Sequence, residues 1–404
     1  MPNVYRMTVT SSRQEGTAQK NEPVFFFPTV YCNETPLYHG VVRWELRRNL
    51  TELAGEGEIS LENRVPFLRC SSPEAAYLKG VFRFVSEEGQ ELCQEIGVLV
   101  DPEELKPALE VPADFDAFWD RQRKRLASVP LHLNLRPLPT SGPEIEAFDL
   151  SADCVGMPVR GELLRPAERR GTLPAIIVPQ GAGVRSAGVG TAQYWAARGF
   201  LALDINAHGI ENGRDPSYYR ELSEGALLDY PARGFDSGDP EKAYALGIFL
   251  RMKRAIEAVA SLPEWDGRNL IVYGGSQGAW QAFAGAYLDS RVSTLAAWIP
   301  AGSDMFNGGW PCQGAMPCRS DRRAEYAKTL PYFDNCSFAS RLRIPVGIIA
   351  GLIDNVCKAD GVMAVYNSCP SEKKELSLHY QMGHETSENL RTALDAFVMR
   401  NLQQ

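Results

Sequence analysis

The stretch NLIVYGGSQGAWQAFAGAYL, residues 269–288, decides the fold. It opens with the β-branched, apolar run expected of a strand buried on both faces, and it closes with a helix-forming run. Between the two, residues 274–278 read Gly-Gly-Ser-Gln-Gly, which matches the G-x-S-x-G nucleophile elbow. The pentapeptide alone is weak evidence because glycine and serine are common residues. Its place at a strand-to-helix turn is what predicts that Ser276 is a nucleophile.

A serine hydroxyl attacks only when a base takes its proton, so a histidine held by a carboxylate is the next requirement. On the α/β-hydrolase fold these residues follow the serine in the order acid, then histidine, each after a late strand. Asp354 directly follows the strand-like run IPVGIIAGLI, and His384 directly follows ELSLHYQMG. The sequence therefore predicts a catalytic triad of Ser276, Asp354 and His384.

Other acids and histidines fit these positions less well. The rival acids share one weakness, which is that none directly follows a buried strand: Asp321, Asp334 and Asp360. Three other histidines are predicted to be structural, one inside a strand pattern and two outside the sheet: His379, His39 and His132. Glu385, next to the predicted base, is interpreted as an anchor for its loop.

Acyl transfer also needs N–H donors aimed at the developing oxyanion. One predicted donor is the backbone N–H of Gln277, the residue after the nucleophile. The second is predicted after the strand LPAIIVPQG, residues 173–181, where Gly181 and Gly183 flank Ala182. Glycines at these positions let the backbone N–H of Ala182 turn toward a substrate.

Two domains are predicted. From about residue 158 strand-like runs alternate with helix-like runs, which is typical of the α/β class with a mainly parallel sheet and helices on both faces. Residues 103–404 are therefore predicted to form an α/β-hydrolase catalytic domain, entered through an amphipathic helix in DFDAFWDRQRKRL, residues 114–126. Residues 301–340 are predicted to form a cap insertion that walls a short acyl pocket with Met305, Phe306, Trp310 and Tyr332.

The first hundred residues have a different texture. Short alternating apolar runs such as VVRWELRR, residues 41–48, are broken by turn-like clusters, and helical periodicity is absent. The pattern predicts an antiparallel, immunoglobulin-like β-sandwich over residues 1–102. A structural or oligomer-forming role is the simple interpretation of this domain, and carbohydrate binding through Trp44 is the alternative.

The composition argues against some classes of binding partner. The net charge of −8 repels phosphate backbones and anionic lipid surfaces, so neither nucleic acid nor membrane is expected as a partner. Without a signal-peptide pattern the expected location is cytoplasmic, with secretion or a periplasmic location after removal of a signal as the alternative. The nine cysteines show no metal-binding spacing, so no metal and no cofactor are expected, although Cys312 and Cys318 are close enough in sequence to bridge.

With these residues in place, the chain resembles the acetyl xylan esterase and cephalosporin C deacetylase family, carbohydrate esterase family seven. The resemblance runs from residue 114 to the end of the chain. Four motifs carry it: the FDxFW helix at 115–119, the GGSQG elbow at 274–278, GLIDNVC at 351–357 and GHE at 383–385. It implies removal of acetyl groups from sugar hydroxyls of xylan fragments, activity on other small acetate esters, and no metal.

Three departures from the family pattern limit this resemblance. Ala207-His208-Gly209 stands where the family usually has Arg-Gly-Gln, and Gly181-Ala182 stands where it usually has Gly-Tyr. The third departure is the amino-terminal sandwich, which compact members lack. The ring-shaped hexamers of those members are therefore not assumed, and a homo-oligomer stays open.

The sequence thus predicts a serine carboxylic-ester hydrolase that removes acetyl groups from xylo-oligosaccharides or similar small acetylated saccharides. The first alternative is a general carboxylesterase or a serine peptidase, because many chemistries share this fold. The second is a carbohydrate-binding or scaffolding protein on an inactive hydrolase frame.

Overall fold

The computed structural model describes residues 3–49, 52–63, 65–140, 142–168, 171–307, 320–385 and 388–403. It divides into two compact units. The first comprises Met1–Lys106, Ala350–Asn367 and Ser377–Glu385, and the second comprises Pro107–Ile349, Ser368–Leu376 and Thr386–Gln404. Part of the predicted cap lies outside the described residues, and with it Trp310, Cys312 and Cys318.

Short strands over residues 5–100 form two sheets in the first unit. Their bounds are β1 Tyr5–Ser11, β2 Thr17–Ala18, β3 Val24–Cys32, β4 Thr35–Pro36, β5 Val41–Arg48, β6 Glu52–Ser60, β7 Leu68–Cys70, β8 Ala76–Val85 and β9 Glu91–Val100. In one sheet β3 pairs with β1, β4 and β7, and the other sheet has the order β2-β9-β8-β5-β6. The described pairs are antiparallel except the short β2 beside β9.

Both of these sheets contribute to one apolar core. Along β3 buried and half-buried residues alternate, so that Val24 and Phe26 point inward. They belong to the same buried cluster as Phe82 of β8 and Ile96 of β9. Each such side chain contributes about 1.5–3 kcal/mol by leaving water. The predicted antiparallel sheets are confirmed, including the strand at 41–48, whereas the immunoglobulin-like topology and the boundary at residue 102 stay predictions.

The larger sheet is mainly parallel. Its strands within the described residues are β10 Asn134–Leu138, β11 Ile145–Ala152, β12 Val159–Pro166, β13 Leu173–Pro179, β14 Leu201–Ile205, β15 Trp265–Gly275, β16 Thr294–Trp298, β17 Val346–Gly351 and β18 Lys374–His379. Their order is β10-β11-β12-β14-β13-β15-β16-β17-β18. From β14 to β17 neighbours run parallel, and β10, β11 and β12 extend this sheet in antiparallel pairs.

Helices cover this sheet. The described helices are α1 Phe115–Ala127, α2 Val189–Ala196, α3 Pro216–Glu224, α4 Tyr244–Ala260, α5 Gln277–Leu288, α6 Arg323–Thr329, α7 Asn335–Ala339, α8 Ala359–Ser368 and α9 Glu388–Arg400. Successive residues of a strand point to opposite faces, and both Ile176 and Ile177 of β13 are fully buried. Both faces of the central strands are therefore covered. Among the described helices, none has the length and apolar character needed to cross a membrane.

The sequence patterns predicted the central strands of this sheet and missed the two strands at one end of it. Strands β10 and β11 were not predicted. For β10 the reason is Pro137 in its middle, which argues against a strand and is tolerated because β10 is at an edge. The helix predicted at 114–126 is confirmed as α1, with Phe115, Phe118 and Trp119 buried at helical spacing.

Asp204, inside β14, makes the stability of the second unit depend on pH. Burial raises the pKa of this carboxyl to about 8, while the Gly188 N–H donates to its Oδ1 at 3.1 Å. Because the folded pKa lies above the unfolded value of about 3.9, the folded state holds a proton that the unfolded chain releases. Stability from this group is complete below about pH 4 and is lost as the pH rises toward 8.

Asp204→Asn should remove this dependence, since the amide still accepts from Gly188 and carries no titratable proton. We expect thermal unfolding scans to show a midpoint about 2 °C or more above the parent at pH 8, and equal midpoints at pH 4. A difference that is the same at both pH values would show that the carboxyl does not titrate in this window.

Candidate active site

Ser276 occupies the sharp turn between β15 and α5. Its backbone has φ 52° and ψ −124°, a conformation that residues with a side chain rarely adopt. The Ser276 N–H donates to the Trp298 carbonyl of β16 at 3.1 Å, and the Ser276 carbonyl accepts from the Ala301 N–H at 3.1 Å. Strand β16 and the residues after it thus hold the strained turn in the geometry of a nucleophile elbow.

Close packing requires glycine on both sides of this serine. A Cβ on Gly274 would lie 2.5 Å from the carbonyl carbon of Gly278, and a Cβ on Gly278 would lie 2.3 Å from the carbonyl oxygen of Pro179 in β13. No side chain fits at such distances. The glycines of the motif therefore let α5 start directly against β15 and β13.

The loop after β13 lies beside the elbow. Gln281 Nε2 of α5 donates to the Gln180 carbonyl at 2.8 Å, which fastens the beginning of the loop to the helix. Gln277 is the first residue of α5, where backbone N–H groups have no partner within the helix. The structure therefore brings together the elements that carry Gln277 and Ala182. Their roles as oxyanion donors stay predictions.

A tyrosine that the sequence did not single out links this loop to the elbow. The Tyr230 hydroxyl accepts from the Gly183 N–H at 2.9 Å and donates to Gln277 Oε1 at 2.8 Å. Tyr230 is only 6% exposed, and this burial raises the pKa of its hydroxyl, which therefore stays protonated as a donor. One side chain thus contacts both elements of the predicted oxyanion site.

His208 supports Tyr230 from the other side. The two rings meet edge-on with centroids 4.4 Å apart. His208 Nδ1 lies 2.9 Å from the Tyr244 hydroxyl oxygen. Burial, followed by the charge of Arg251, lowers the pKa of His208 to about 4, so the ring is neutral near pH 7. The Ala207-His208-Gly209 departure from the family pattern is therefore a buried hydrogen-bonding unit. In the sequence, this departure from the family pattern was the signal that pointed to the region. Tyr230 lies in an irregular segment that carries no such signal.

Asp354 and His384 form a hydrogen-bonded pair within the first unit. His384 Nδ1 lies 2.9 Å from Asp354 Oδ2. The other carboxylate oxygen accepts from the N–H groups of Val356 at 2.7 Å and Cys357 at 2.8 Å. The Asp354 side chain has no exposed surface, while that of His384 is 29% exposed. A buried acid thus orients a partly exposed imidazole, as in Ser-His-Asp sites.

The rival residues have other partners. Asp334 caps the start of α7 through the Cys336 N–H. His379 lies 3.0 Å from Ser377 Oγ, and exposed His132 pairs with Asp153. The contacts of the two histidines agree with the structural roles predicted for them, and those roles stay predictions.

Cys357 adds a third potential metal ligand next to the Asp354–His384 pair. One ligand atom from each of these residues lies within 4.8 Å of the others, although the spacing of cysteines in the sequence predicted no metal. The carboxylate and the imidazole already bind each other. A simple Asp–His pair therefore accounts for the observed contacts.

These features define the class of the protein. A mainly parallel sheet covered on both faces, with a strained serine at a strand-to-helix turn and an Asp–His pair after later strands, is the α/β-hydrolase fold. The fold predicted from the sequence is confirmed.

Comparison with known proteins supports this class. The model of the acetyl xylan esterase (AXE1) family matches residues 99–308 and 315–401. Acetyl esterase Axe7A of Xylanibacter ruminicola is 29% identical over 311 residues, which are 72% of this chain and 68% of the relative. An acetyl xylan esterase structure from Paenibacillus sp. R4 matches with 26% identity and a TM-score of 0.65, covering 74% of this chain and 98% of that one. Acetyl xylan esterase 1 from Thermoanaerobacterium sp. JW/SL YS485, at 23% identity and a TM-score of 0.63, shares the fold over 75% of this chain and 98% of its own.

The chain belongs to the acetyl xylan esterase (AXE1) family and is an esterase of that type. The family predicted from the GLIDNVC and GHE motifs is confirmed. The family match begins at residue 99, so strands β1 to β8 lie before it.

Tyr230→Phe tests the link between the loop and the elbow. The ring still packs on His208, but Gly183 and Gln277 each lose a hydrogen bond, which lets the predicted oxyanion donors shift. We expect kcat on an aryl acetate to fall about ten-fold, with KM within about two-fold of the parent.

The matched control is Tyr219→Phe. The Tyr219 hydroxyl is likewise buried, accepts from the Arg214 N–H at 3.0 Å and donates to the Glu211 carbonyl at 2.9 Å, but it contacts neither Gly183 nor Gln277. Equal losses of kcat in both variants would contradict a specific role for Tyr230.

Proposed function

We propose that this esterase removes acetyl groups from the sugar hydroxyls of acetylated xylo-oligosaccharides or similar small saccharides through a Ser276-His384-Asp354 mechanism. The observation that carries the proposal is the hydrogen bond between buried Asp354 and His384 in a chain whose elbow serine has the strained backbone of a nucleophile. Family membership and the printed names of the relatives support the acetylated-xylan substrate.

The order of the strands along the chain supports the three assigned roles. Ser276 follows β15, Asp354 lies three residues after the end of β17, and His384 lies after β18. Strands β15, β16 and β17 run parallel, so their carboxyl ends lie along one edge of the sheet. Ligands of open α/β sheets bind at that edge. The Asp354 contact occupies His384 Nδ1, which assigns Nε2 to the serine.

The chemistry proceeds in two steps. Ser276 Oγ attacks the acetyl carbonyl carbon while its proton passes to His384 Nε2. The C–O bond to the sugar then breaks, and His384 returns the proton to the sugar oxygen, leaving an acetylated Ser276. A water molecule repeats the sequence, and acetate leaves with the serine hydroxyl restored.

The surroundings supply the stabilisation that these steps need. Asp354 orients the imidazole and stabilises the cation that forms on it. The backbone N–H groups of Gln277 and Ala182 are assigned to the oxyanion, where each donor is worth about 100-fold or more in kcat. A cap over residues 301–340 that favours acetate remains part of the proposal. Tyr332, one of its predicted wall residues, packs on Phe118 of α1 with ring centroids 4.9 Å apart.

The decisive test is acetate release from acetylated xylo-oligosaccharides by the parent and by Ser276→Ala, His384→Ala and Asp354→Asn. We expect losses of about 10,000-fold or more for the serine and histidine variants. Ser261→Ala is the control, because among the described residues its hydroxyl binds only the Ala258 carbonyl near the end of α4, and the activity of this variant should stay unchanged. Full activity of Ser276→Ala would refute the mechanism.

Side reactions separate the alternatives. Hydrolysis of an aryl acetate that depends on Ser276, without release from the saccharide, would make the protein a general carboxylesterase. Cleavage of an aminoacyl amide would make it a peptidase. Failure of a fluorophosphonate to label Ser276 would point to an inactive hydrolase frame.

A further inference from the structure

Strand β8 of the amino-terminal sheets is buried on both faces. Strands at the outside of a sandwich alternate between buried and exposed residues, yet residues 76–82 are buried without interruption. Leu78 and Phe82 belong to the core between the two sheets. Tyr77 and Lys79 point the opposite way, and they are only 1% and 4% exposed. A segment outside the two amino-terminal sheets must therefore cover the face of β8 to which Tyr77 and Lys79 point.

The cover is the segment after β17, which carries Asp354 and belongs to the same compact unit. The Tyr77 hydroxyl donates to the Leu352 carbonyl. A Cβ on Gly97 of β9 would lie 2.5 Å from that same carbonyl oxygen, so the close approach of Leu352 to β9 requires glycine at position 97. Burial keeps the pKa of Tyr77 well above its ordinary value, which preserves the hydroxyl as a donor.

A charge network around the buried Lys79 holds Asn355, the residue next to the acid. Lys79 Nζ lies 2.9 Å from Glu95 Oε2 and also donates to Asn355 Oδ1. Asn355 Nδ2 in turn donates to Glu95 Oε2 at 2.9 Å. The Lys79 side chain is 5% exposed, and a buried ammonium is costly unless such partners satisfy it. The three side chains thus fix one another and the loop backbone at residue 355.

The segment that carries His384 is fastened in the same way. Gln381 Nε2 donates to the Val9 carbonyl of β1 at 3.2 Å. The Leu352 N–H donates to the His379 carbonyl at 2.9 Å, which joins the two segments to each other. Both partners of the Asp–His pair are therefore on chain segments that the amino-terminal strands contact.

We propose that the amino-terminal sheet is a positioning element of the active site: Lys79, Glu95 and Tyr77 hold the loop that presents Asp354 to His384. This inference rests on the proposed catalytic role of that pair. It gives residues that precede the family match an indirect part in turnover. Lys79 and Glu95 contact no reacting atoms and act through Asn355 and the loop backbone.

Asn355→Ala is the first variant, because Asn355 is exposed and its loss spares the packing of the sheet. It removes both side-chain bonds to the network. Lys79→Met is the second, since it keeps the aliphatic stem and removes the ammonium. For each we expect kcat on an aryl acetate to fall about ten-fold, with KM within about two-fold, because misplacing a catalytic group costs turnover rather than binding.

Lys253→Met is the matched control. Its ammonium is also largely buried, and it binds Asp289 and Glu257 at 2.8 Å each, within the second unit. We expect it to lower the unfolding midpoint at least as much as Lys79→Met while leaving kcat unchanged. Equal losses of kcat in Lys79→Met and the control, or a kcat within two-fold of the parent in Asn355→Ala, would overturn the proposal.

A second readout separates positioning from general damage. If Lys79 and Asn355 act through Asp354, Asn355→Ala should lower activity less than about two-fold when Asp354 is already asparagine. A full ten-fold further loss in that background would overturn the inference. Retention of activity by Ser276→Ala would instead refute the proposed function, so the two failures are distinguishable.

Discussion

The Asp354 carboxylate has no exposed surface, and the loop that carries it is arranged around this constraint. A carboxylate removed from water is costly unless donors surround it. Here the N–H groups of Val356 and Cys357 satisfy one oxygen and His384 satisfies the other. The backbone between residues 354 and 357 must therefore fold tightly back on the acid. This places Asn355 where Lys79 and Glu95 reach it.

A second constraint is the strained backbone at Ser276. Residues with side chains avoid its φ of 52°, so the turn persists only because its surroundings determine it. The Ser276 N–H donates to β16, the Ser276 carbonyl accepts from the Ala301 N–H, and a glycine packs against β13; together they supply that support. The same packing brings Gln277 close to Tyr230, so the turn that carries Ser276 also orders the predicted oxyanion site.

Each compact unit is built from separate segments of the chain. The sequence predicts a linear domain boundary after residue 102, and that boundary stays a prediction. The segments Ala350–Asn367 and Ser377–Glu385 belong to the same compact unit as the amino-terminal sheets. The family match starts only at residue 99. Strands outside the shared family region thus pack against segments inside it that carry Asp354 and His384.

The sequence by itself determined the α/β class, the central strands and the strand-to-helix turn at Ser276, and it predicted the order of acid and histidine. These are local signals: β-branched runs mark buried strands, and glycines mark a turn that no other residue fits. Only the tertiary structure decided that Tyr230 holds Gln277 across 47 residues and that Tyr77 holds Leu352 across 275. It also added β10 and β11, of which the edge strand β10 carries a proline that argues against a strand. Such contacts leave no periodic trace in a sequence, because they depend on which side chains the completed fold brings together.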